Sequence, residues 1–504
     1  MSFLLGIDSG LTVTKAVLYD AKGTVLGLGR ANVAQHKPKP HWVERDVHEL
    51  LRATSQAIIQ ALGTHDPHLV RAIGVTGHGD GLYLLDDQLQ PTRPAILSLD
   101  SRGQSAIDQW RADGSLAQIF KVTGQVPFPS TPAALLAWLK AHEPATLARS
   151  RWALSCKDTI KAWLTGEVCT DVTEASVSFT DVHSQRYSSE AFAAYGLEWV
   201  QNLVGVVVDS CEIAGSVRTE AAAQTGLAVG TPVIAGMHDV DACAVASGSL
   251  NVGDLALVAG SYSINEVISD RAHPSELWNV RNFVQPGMYL NMATSPASAT
   301  NLEWYVANLA TAQMLESSKA EESPFATLLR EVEALPVGED DPLYLPFLYG
   351  SPIGPHVSAA VLGLRGWHTG LHTARAVLEG VAFTHRWHVD DLATTFAISA
   401  TTLTGGATHS RYWSQMFANA LGRSIDIKHI PESGTLGVAM AAGVAAGEFA
   451  SLAEAGIATT PAAIRLEPQP AERDRFQLRY QRFRQATAAT LRLAQEWDSG
   501  ATAP

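Results

Sequence analysis

Apolar residues recur along this chain in two rhythms: short β-branched or leucine-rich runs, and longer segments in which apolar residues return at helical spacing. The first run, Leu4-Leu5-Gly6-Ile7, ends in Asp8 and the turn Ser9-Gly10-Leu11-Thr12, and Val13 to Tyr19 return as a second strand. A polar turn from Asp20 to Gly23 and a strand from Thr24 to Val33 extend this into an antiparallel sheet. The spacing then predicts a helix over about Val47 to Leu62, a buried strand over Ala72 to Thr76 and another strand over Leu82 to Leu85. From Leu116 to about Glu198 the pattern is mainly helical, with helices over Thr131 to His142 and Lys157 to Thr165. A strand over Thr231 to Ala235 ends in Gly236-Met237-His238-Asp239-Val240-Asp241 and feeds an alanine-rich helix.

Beyond Gly248 the opening pattern returns. Leu255 to Val258 read as a strand, Gly260-Ser261-Tyr262-Ser263 as a hydroxyl-bearing turn and Ile264 to Ile268 as the returning strand. The repeat of one hairpin after half the chain predicts an internal duplication, with domains over 1–247 and 248–504. Later come a strand over Leu343 to Leu348, a long helix over His372 to Leu392, and a strand over Thr402 to Thr404 that runs into Gly405-Gly406-Ala407-Thr408-His409-Ser410. A helix over Arg411 to Leu421, a glycine- and alanine-rich helix over Gly434 to Gly447 and a last helix over about Ala471 to Trp497 complete the reading. The stripe Phe476, Tyr480 and Phe483 on that last helix belongs to core. Strands alternating with helices predict an α/β fold.

Composition narrows the class of partner. A chain of 504 residues is too long for one ordinary core, so two domains are expected on length as well. The formal net charge of −14, with both signs interspersed, argues against a nucleic-acid or anionic-membrane surface and for a small-molecule partner. Cys156, Cys169, Cys211 and Cys243 lie far apart with no Cys-x-x-Cys, which signals neither disulfides nor zinc and fits a reducing cytoplasm. No apolar run is long enough to span a bilayer and the N-terminus opens on strand-like residues, so a soluble cytoplasmic protein is expected.

Several loops carry candidate chemistry. Asp8, at the mouth of a Gly/Thr turn with Lys15 close by, suits a hydrated Mg²⁺ and the phosphates it accompanies, although the same pattern serves an ordinary hairpin. In Gly77-His78-Gly79-Asp80-Gly81, three glycines let the backbone approach a ligand and Asp80 could accept hydrogen bonds from sugar or polyol hydroxyls; a local turn is the alternative. Asp100 with Arg102 reads as a capping pair or a second pocket contact, and Trp42 as a pocket wall or an aromatic packed under a loop. Asp239 is either a helix N-cap or a general base. The Gly405-Gly406 turn entering a helix would let a flat ring or a phosphate meet the backbone.

Taken together these motifs resemble the FGGY carbohydrate kinases, within the sugar kinase, Hsp70 and actin superfamily. Gly6-Ile7-Asp8-Ser9-Gly10 with Thr12 and Lys15 looks like the first phosphate loop, and Trp42-Val43-Glu44 like the family's Trp-Val-Glu segment. The loop from Gly77 to Gly81 resembles the sugar-contact loop, Gly236 to Asp239 the loop of the catalytic aspartate, Gly260-Ser261 the second phosphate loop, and Gly405-Gly406-Ala407 with Ser410 the adenosine loop. Arg375 to Gly380 resembles the helix of the family signature. Leu11, Val13 and Ser261 depart from the usual Thr, Ser and Thr, and the residues around Asp80 look closer to the L-xylulose kinase and erythritol kinase branches than to D-xylulose kinases.

The resemblance implies two ribonuclease-H-like, actin-like ATPase domains with a central interdomain cleft, the first sugar-binding and the second nucleotide-binding. It implies ATP and Mg²⁺ as cofactors and phosphorylation of a hydroxyl on a small sugar or polyol, a ketopentose such as xylulose or a tetritol such as erythritol. Asp239 would be the catalytic base; Asp8 and Asp239 would serve the metal; Thr12, Thr14, Lys15, Gly260, Ser261, Gly405, Gly406, Ala407 and Ser410 would serve the nucleotide; and Trp42, His78, Gly79, Asp80, Asp100 and Asp239 would serve the substrate. A homodimer is left open. The rival readings are an actin- or Hsp70-like ATPase switch and a sugar-sensing pseudokinase; the sequence shows neither a separate peptide-binding domain nor an N-terminal DNA-binding segment.

Overall fold

The structure, a computed structural model, describes residues 2–315, 323–352 and 357–500. The chain forms two compact units. The first comprises Met1–Asn251 with two later segments, Ile268–Asn291 and Pro431–Thr460; the second comprises Val252–Val267, Met292–Ile430 and Pro461–Pro504.

In the first unit, β1 (Phe3–Ser9) and β2 (Val13–Asp20) form the expected hairpin, with Asp8 opposite Lys15 and Ser9 opposite Thr14. β3 (Val25–Asn32) continues it. Helix α1 (Val47–Leu62) starts where the Asp46 carboxylate accepts hydrogen bonds from the His48 and Glu49 amides, and stops at Gly63. Its apolar face, Leu50, Ala57, Ile58 and Ala61, is buried in the core beneath the sheet. Each large aliphatic side chain so buried contributes roughly 1.5–3 kcal/mol. β4 (Val70–Gly77) runs parallel to β1 and brings Thr76 beside Asp8. After α2 (Cys156–Thr165), the strands β5 (Ile213–Ser216) and β6 (Pro232–Ile234) complete the order β5-β6-β4-β1-β2-β3, and β6 leads into α3 (Asp239–Ser247).

The second unit repeats this plan. β7 (Asp254–Ala259) pairs antiparallel with β8 (Ser263–Ser269); α4 (Gly370–Ala393) leads to β9 (Ala400–Thr404), which is parallel to β7. After α5 (Arg411–Leu421), β10 (Ile425–Ile427) lies parallel to β9. Each unit therefore carries an antiparallel hairpin whose first strand is followed, on its other side, by two parallel strands, as a duplicated domain requires. The chain then returns to the first unit as α6 (Ser433–Ala445), before β11 (Ile464–Leu466) and α7 (Pro470–Gly500) finish the second. Phe476, Tyr480 and Phe483 of α7 are buried against Phe383.

Helix α6 lies on the backbone of β1 and β4 with almost no intervening side chains. A Cβ at Gly6 would stand 2.0 Å from the Thr435 carbonyl and one at Gly74 2.2 Å from that of Val438. The glycines in these strands are what the packing demands.

The stretch from Leu116 to Glu198 is less uniformly helical than its pattern suggested. Short strands at Trp152–Leu154, Cys169–Asp171, Thr180–Asp181 and Arg186–Tyr187 interrupt it, because runs of two or three residues are too short for periodicity to separate strand from helix. Among the described residues no helix is long and apolar enough to cross a membrane.

Candidate active site

The first turn is built from below by residues that motif reading passed over. Arg45, fully buried, donates to the Gly10 carbonyl at 3.0 Å and to that of Leu11, so the turn's carbonyls are drawn inward. Thr12 stays exposed at its tip. Thr14, expected among the phosphate contacts, is fully buried and its hydroxyl pairs with that of Ser9 at 3.0 Å; it braces the hairpin instead. Lys15 reaches Glu432 at 2.9 Å, and Arg30 joins the same carboxylate. The cation beside Asp8 thus has a partner from a segment more than 400 residues away in sequence. At the N-terminus of α6, a Cβ on Gly434 would stand 2.7 Å from the Asp8 carboxylate. Burial and the neighbouring Asp239 charge push Asp8 up to about 6, against the pull of Lys15.

The loop after β4 is fixed at its base by the His78 amide donating to the Ser9 carbonyl at 2.9 Å. The His78 ring meets the Tyr83 hydroxyl at 3.1 Å, and burial with the nearby Arg45 charge brings it down to about 4, so it is neutral at ordinary pH. Gly79 lies flat against the His238 ring, where a Cβ would come within 1.6 Å of Nε2. Asp80 adopts a left-handed backbone (φ 56°) that Asp tolerates better than most residues. Burial raises its carboxyl, against the pull of Arg281, 4.0 Å away, and of His238. Among the described residues Oδ1 of Asp80 has no hydrogen-bonding partner.

Arg281 was not legible in the motifs. It sits on the short strand Asn279–Asn282, whose neighbours are tied into the first unit: the Val280 carbonyl accepts from the Gln125 side chain and the Asn282 side-chain Nδ2 donates to the Val172 carbonyl at 2.9 Å. Its one signal in the sequence is a lone arginine within an otherwise largely apolar run, Val280-Arg281-Asn282-Phe283-Val284.

Asp239 opens α3 one residue inside the helix; His238 holds the N-cap position without a side-chain cap bond. The Asp239 carboxylate is therefore not used for capping, and 36 % of its side chain remains open. His238 Nδ1 lies 3.1 Å from it. Burial opposes a charged imidazole, but Asp239 and Glu174 outweigh it and lift His238 to about 10. In turn burial raises Asp239, but His238 holds it below the usual carboxylate range. Glu174 is pushed up to about 7 by burial, against the charges of His238 and Lys157, and burial also raises Asp241. Glu174 Oε2 and Asp241 Oδ1 are buried without a partner among the described residues.

A neutral, buried ion network supports this segment. Lys157 bridges Asp158 and Asp171, each at 2.8 Å, and reaches the Ala235 carbonyl at 3.3 Å; Lys161 closes on Asp158 at 2.7 Å. Asp171 accepts the Thr173 and Ser210 hydroxyls, each at 2.7 Å, and the Thr173 hydroxyl accepts the His238 amide at 2.9 Å. Removing one partner of such a network leaves an uncompensated charge, a change that typically costs about 3–5 kcal/mol.

Asp100 and Trp42 serve a different part of the same unit. Asp100 is paired with Arg102 at 2.7 Å and also accepts the Val43 amide at 2.7 Å, so it is engaged within the protein and holds the Trp42 segment. The Arg102 guanidinium stacks 3.9 Å over the Trp42 ring, which meets Trp138 edge-on.

In the second unit, two loops meet. The Ser261 carbonyl accepts from the Ser298 amide and the Thr300 hydroxyl, and that of Gly260 from the Ala299 amide, which shapes the turn between β7 and β8. Gly405 (φ 89°) presses its backbone on that turn; a Cβ would stand 2.9 Å from the Gly260 nitrogen. Gly406 opens into space, its nearest neighbours 3.8 Å away. Ala407 is buried, and Ser410 caps α5 by accepting the Trp413 amide at 3.2 Å. Asp8, His78, Gly79, Asp80 and Asp239 are thus gathered in the first unit, and Gly260, Ser261, Gly405, Gly406, Ala407 and Ser410 in the second.

Comparison with known proteins identifies the fold. The profile for the N-terminal domain of the FGGY family of carbohydrate kinases matches residues 3–246, and that for the C-terminal domain matches residues 255–446. The chain is similar to the L-xylulose/3-keto-L-gulonate kinase of Escherichia coli (strain K12), 32 % identical over 97 % of each chain. It is also similar to a probable L-xylulose kinase of Pasteurella multocida (strain Pm70), 31 % identical over 97 % of this chain and 99 % of that one. Among solved structures, the xylulose kinase from Rhodospirillum rubrum is 26 % identical and superposes with a TM-score of 0.88, covering 98 % of this chain and 100 % of the other. With the duplicated α/β plan, the aspartates at the strand ends and both halves matched, the chain belongs to the FGGY family of carbohydrate kinases.

Proposed function

We propose that this kinase transfers the γ-phosphoryl group of ATP to a hydroxyl of a ketopentose, with L-xylulose the first substrate to test. One observation carries the sugar reading: around Asp239 the first unit gathers buried polar atoms of both signs without partners among the described residues, Asp80 Oδ1, Glu174 Oε2 and Asp241 Oδ1 as acceptors and Arg281 Nε and Nη1 as donors. Buried polar groups are normally satisfied, and interleaved donors and acceptors match a polyhydroxylated ligand.

In this reading Asp239, ionised and part-open, accepts the proton of the attacking hydroxyl. His238 and the Thr173–Asp171–Lys157 chain keep its carboxylate aimed. Phosphoryl transfer asks mostly for positioning and charge neutralisation. The Thr12 turn and the Gly260-Ser261 turn hold phosphates, Lys15 adds positive charge nearby, and Gly405 to Ala407 accommodate the adenosine. Asp8 fits a divalent cation: it is a buried carboxylate whose affinity for a proton is raised by burial and by Asp239, so a cation there relieves repulsion. Asp8 with Asp239 would hold Mg²⁺, which when bound neutralises phosphate charge. Among the described residues Cys156, Cys169, Cys211 and Cys243 form no disulfide, which is consistent with a reducing cytoplasm.

A coupled ADP-release screen over tetritols, pentitols and ketopentoses tests the assignment. Turnover fastest on ketopentoses is the expected result, and turnover on none of them would overturn it. For the nucleotide loop, Gly406→Val is expected to raise KM for ATP well above wild type while leaving sugar binding unchanged, because the branched side chain occupies the open space beside Ala259 and Ala299. Unchanged nucleotide affinity in the folded variant would move the adenosine elsewhere.

A further inference from the structure

Arg281 is a buried guanidinium at odds with its surroundings. Its side chain is 5 % exposed, Nε and Nη1 find no hydrogen-bonding partner among the described residues, and the Asp80 carboxylate stands 4.0 Å away, too far for a hydrogen bond. Arginine is rarely buried unless paired. A buried donor left unsatisfied costs the folded state more than a typical hydrogen bond returns. The strand that carries it is pinned on both sides, through Val280 to Gln125 and through Asn282 to Val172, so the side chain is held there by the backbone and not by any partner of its own. The sugar-contact loop faces it, with Asp80 strained into a left-handed backbone and its Oδ1 equally unpartnered.

We infer that Arg281 is a specificity-determining residue that donates to an acceptor-only oxygen of the sugar, a ketone carbonyl or a carboxylate, while Asp80 takes a hydroxyl beside it. This rests on the sugar reading given above. Guanidinium groups only donate. A carbonyl or carboxylate oxygen accepts from two donors at once and brings no hydrogen of its own to be placed, whereas a hydroxyl in the same position must find a further acceptor. Arg281 and Asp80 therefore divide the recognition: the carboxylate reads hydroxyl configuration, and the guanidinium reads oxidation state. The kinase should favour a ketose, or a keto-acid of the same configuration, over the corresponding alditol.

The experiment compares kcat/KM of wild type, Arg281→Met and Arg281→Lys on L-xylulose, xylitol and a 3-keto-aldonate, with circular dichroism to check folding. Arg281→Met is expected to lose roughly 10- to 150-fold on the ketose and little on the alditol, so that the preference collapses while KM for ATP stays the same. A loss on the keto-acid greater than on the ketose would identify the carboxylate as the oxygen read, and the reverse order the carbonyl. Arg281→Lys keeps a charge beside Asp80 and the fold with it, yet loses the planar fork, so its ketose preference should also fall. Equal losses on ketose and alditol, or none, in either folded variant would overturn the assignment and make Arg281 a scaffold residue. Should wild type phosphorylate none of the three acceptors, the sugar reading itself falls and this one with it, a result distinct from an active wild type whose Arg281 variants are unchanged.

Discussion

Asp239→Asn is expected to abolish phosphoryl transfer while leaving the fold and nucleotide binding largely intact. The amide keeps the size of the side chain and its place at the start of α3, and the helix does not depend on it, since it is not the capping residue. What is lost is the proton acceptor and the counter-charge of His238, which then sits buried without its main partner. Loss of general base catalysis typically costs roughly 10²- to 10⁴-fold in rate. The imidazole should also titrate at lower pH in the variant, because Asp239 is the largest of the influences raising it. The measurements are single-turnover rates with saturating ATP and sugar, and His238 titration by NMR. Near-wild-type turnover would remove Asp239 from the chemistry.

Asp80→Asn should weaken sugar binding selectively. Asparagine tolerates the positive φ of this position as aspartate does, so the loop keeps its shape; alanine would add backbone strain to the loss of the carboxylate. Losing a hydrogen bond to a charged group costs about 1.5–3 kcal/mol, or roughly 10- to 150-fold in affinity. The loss should fall on the sugar and not on ATP, and discrimination between epimers should relax, because a fixed carboxylate rejects hydroxyls that point elsewhere. Isothermal titration with each ligand separates the two. An unchanged ranking across epimeric sugars would reduce Asp80 to a turn residue.

Much of the candidate site was legible in the sequence because strand ends and glycine loops announce themselves. Asp8, Asp80 and Asp239 each follow a short apolar run, and the repeated hairpin gave the duplicated plan. Three kinds of information were hidden. Thr14 was grouped with the phosphate contacts although side chains alternate along a strand: register places its hydroxyl against Ser9, inside. Arg45 and Glu432 stabilise the first turn from positions that no local motif connects to it. Arg281 was the most thoroughly concealed, since nothing near it in sequence belongs to the sugar loop. In each case the missing knowledge was tertiary: which strand lies beside which, and which side chain has already spent its hydrogen bonds.

The winding of the first unit has a consequence for how the protein comes into being. Its sheet face is covered by α6, which the ribosome delivers only after some 430 residues, and the strand bearing Arg281 also arrives after the second unit has begun. Until then β1 and β4 present bare glycine-lined backbone to the solvent. The nascent chain therefore cannot finish its first half before starting its second, and contacts of such high sequence separation form slowly. The early strands must wait, vulnerable to pairing with other chains, for a helix not yet translated. Holdase chaperones should engage the growing polypeptide during that interval, and a ribosome stalled before Ser433 should carry a first unit that proteases still cut.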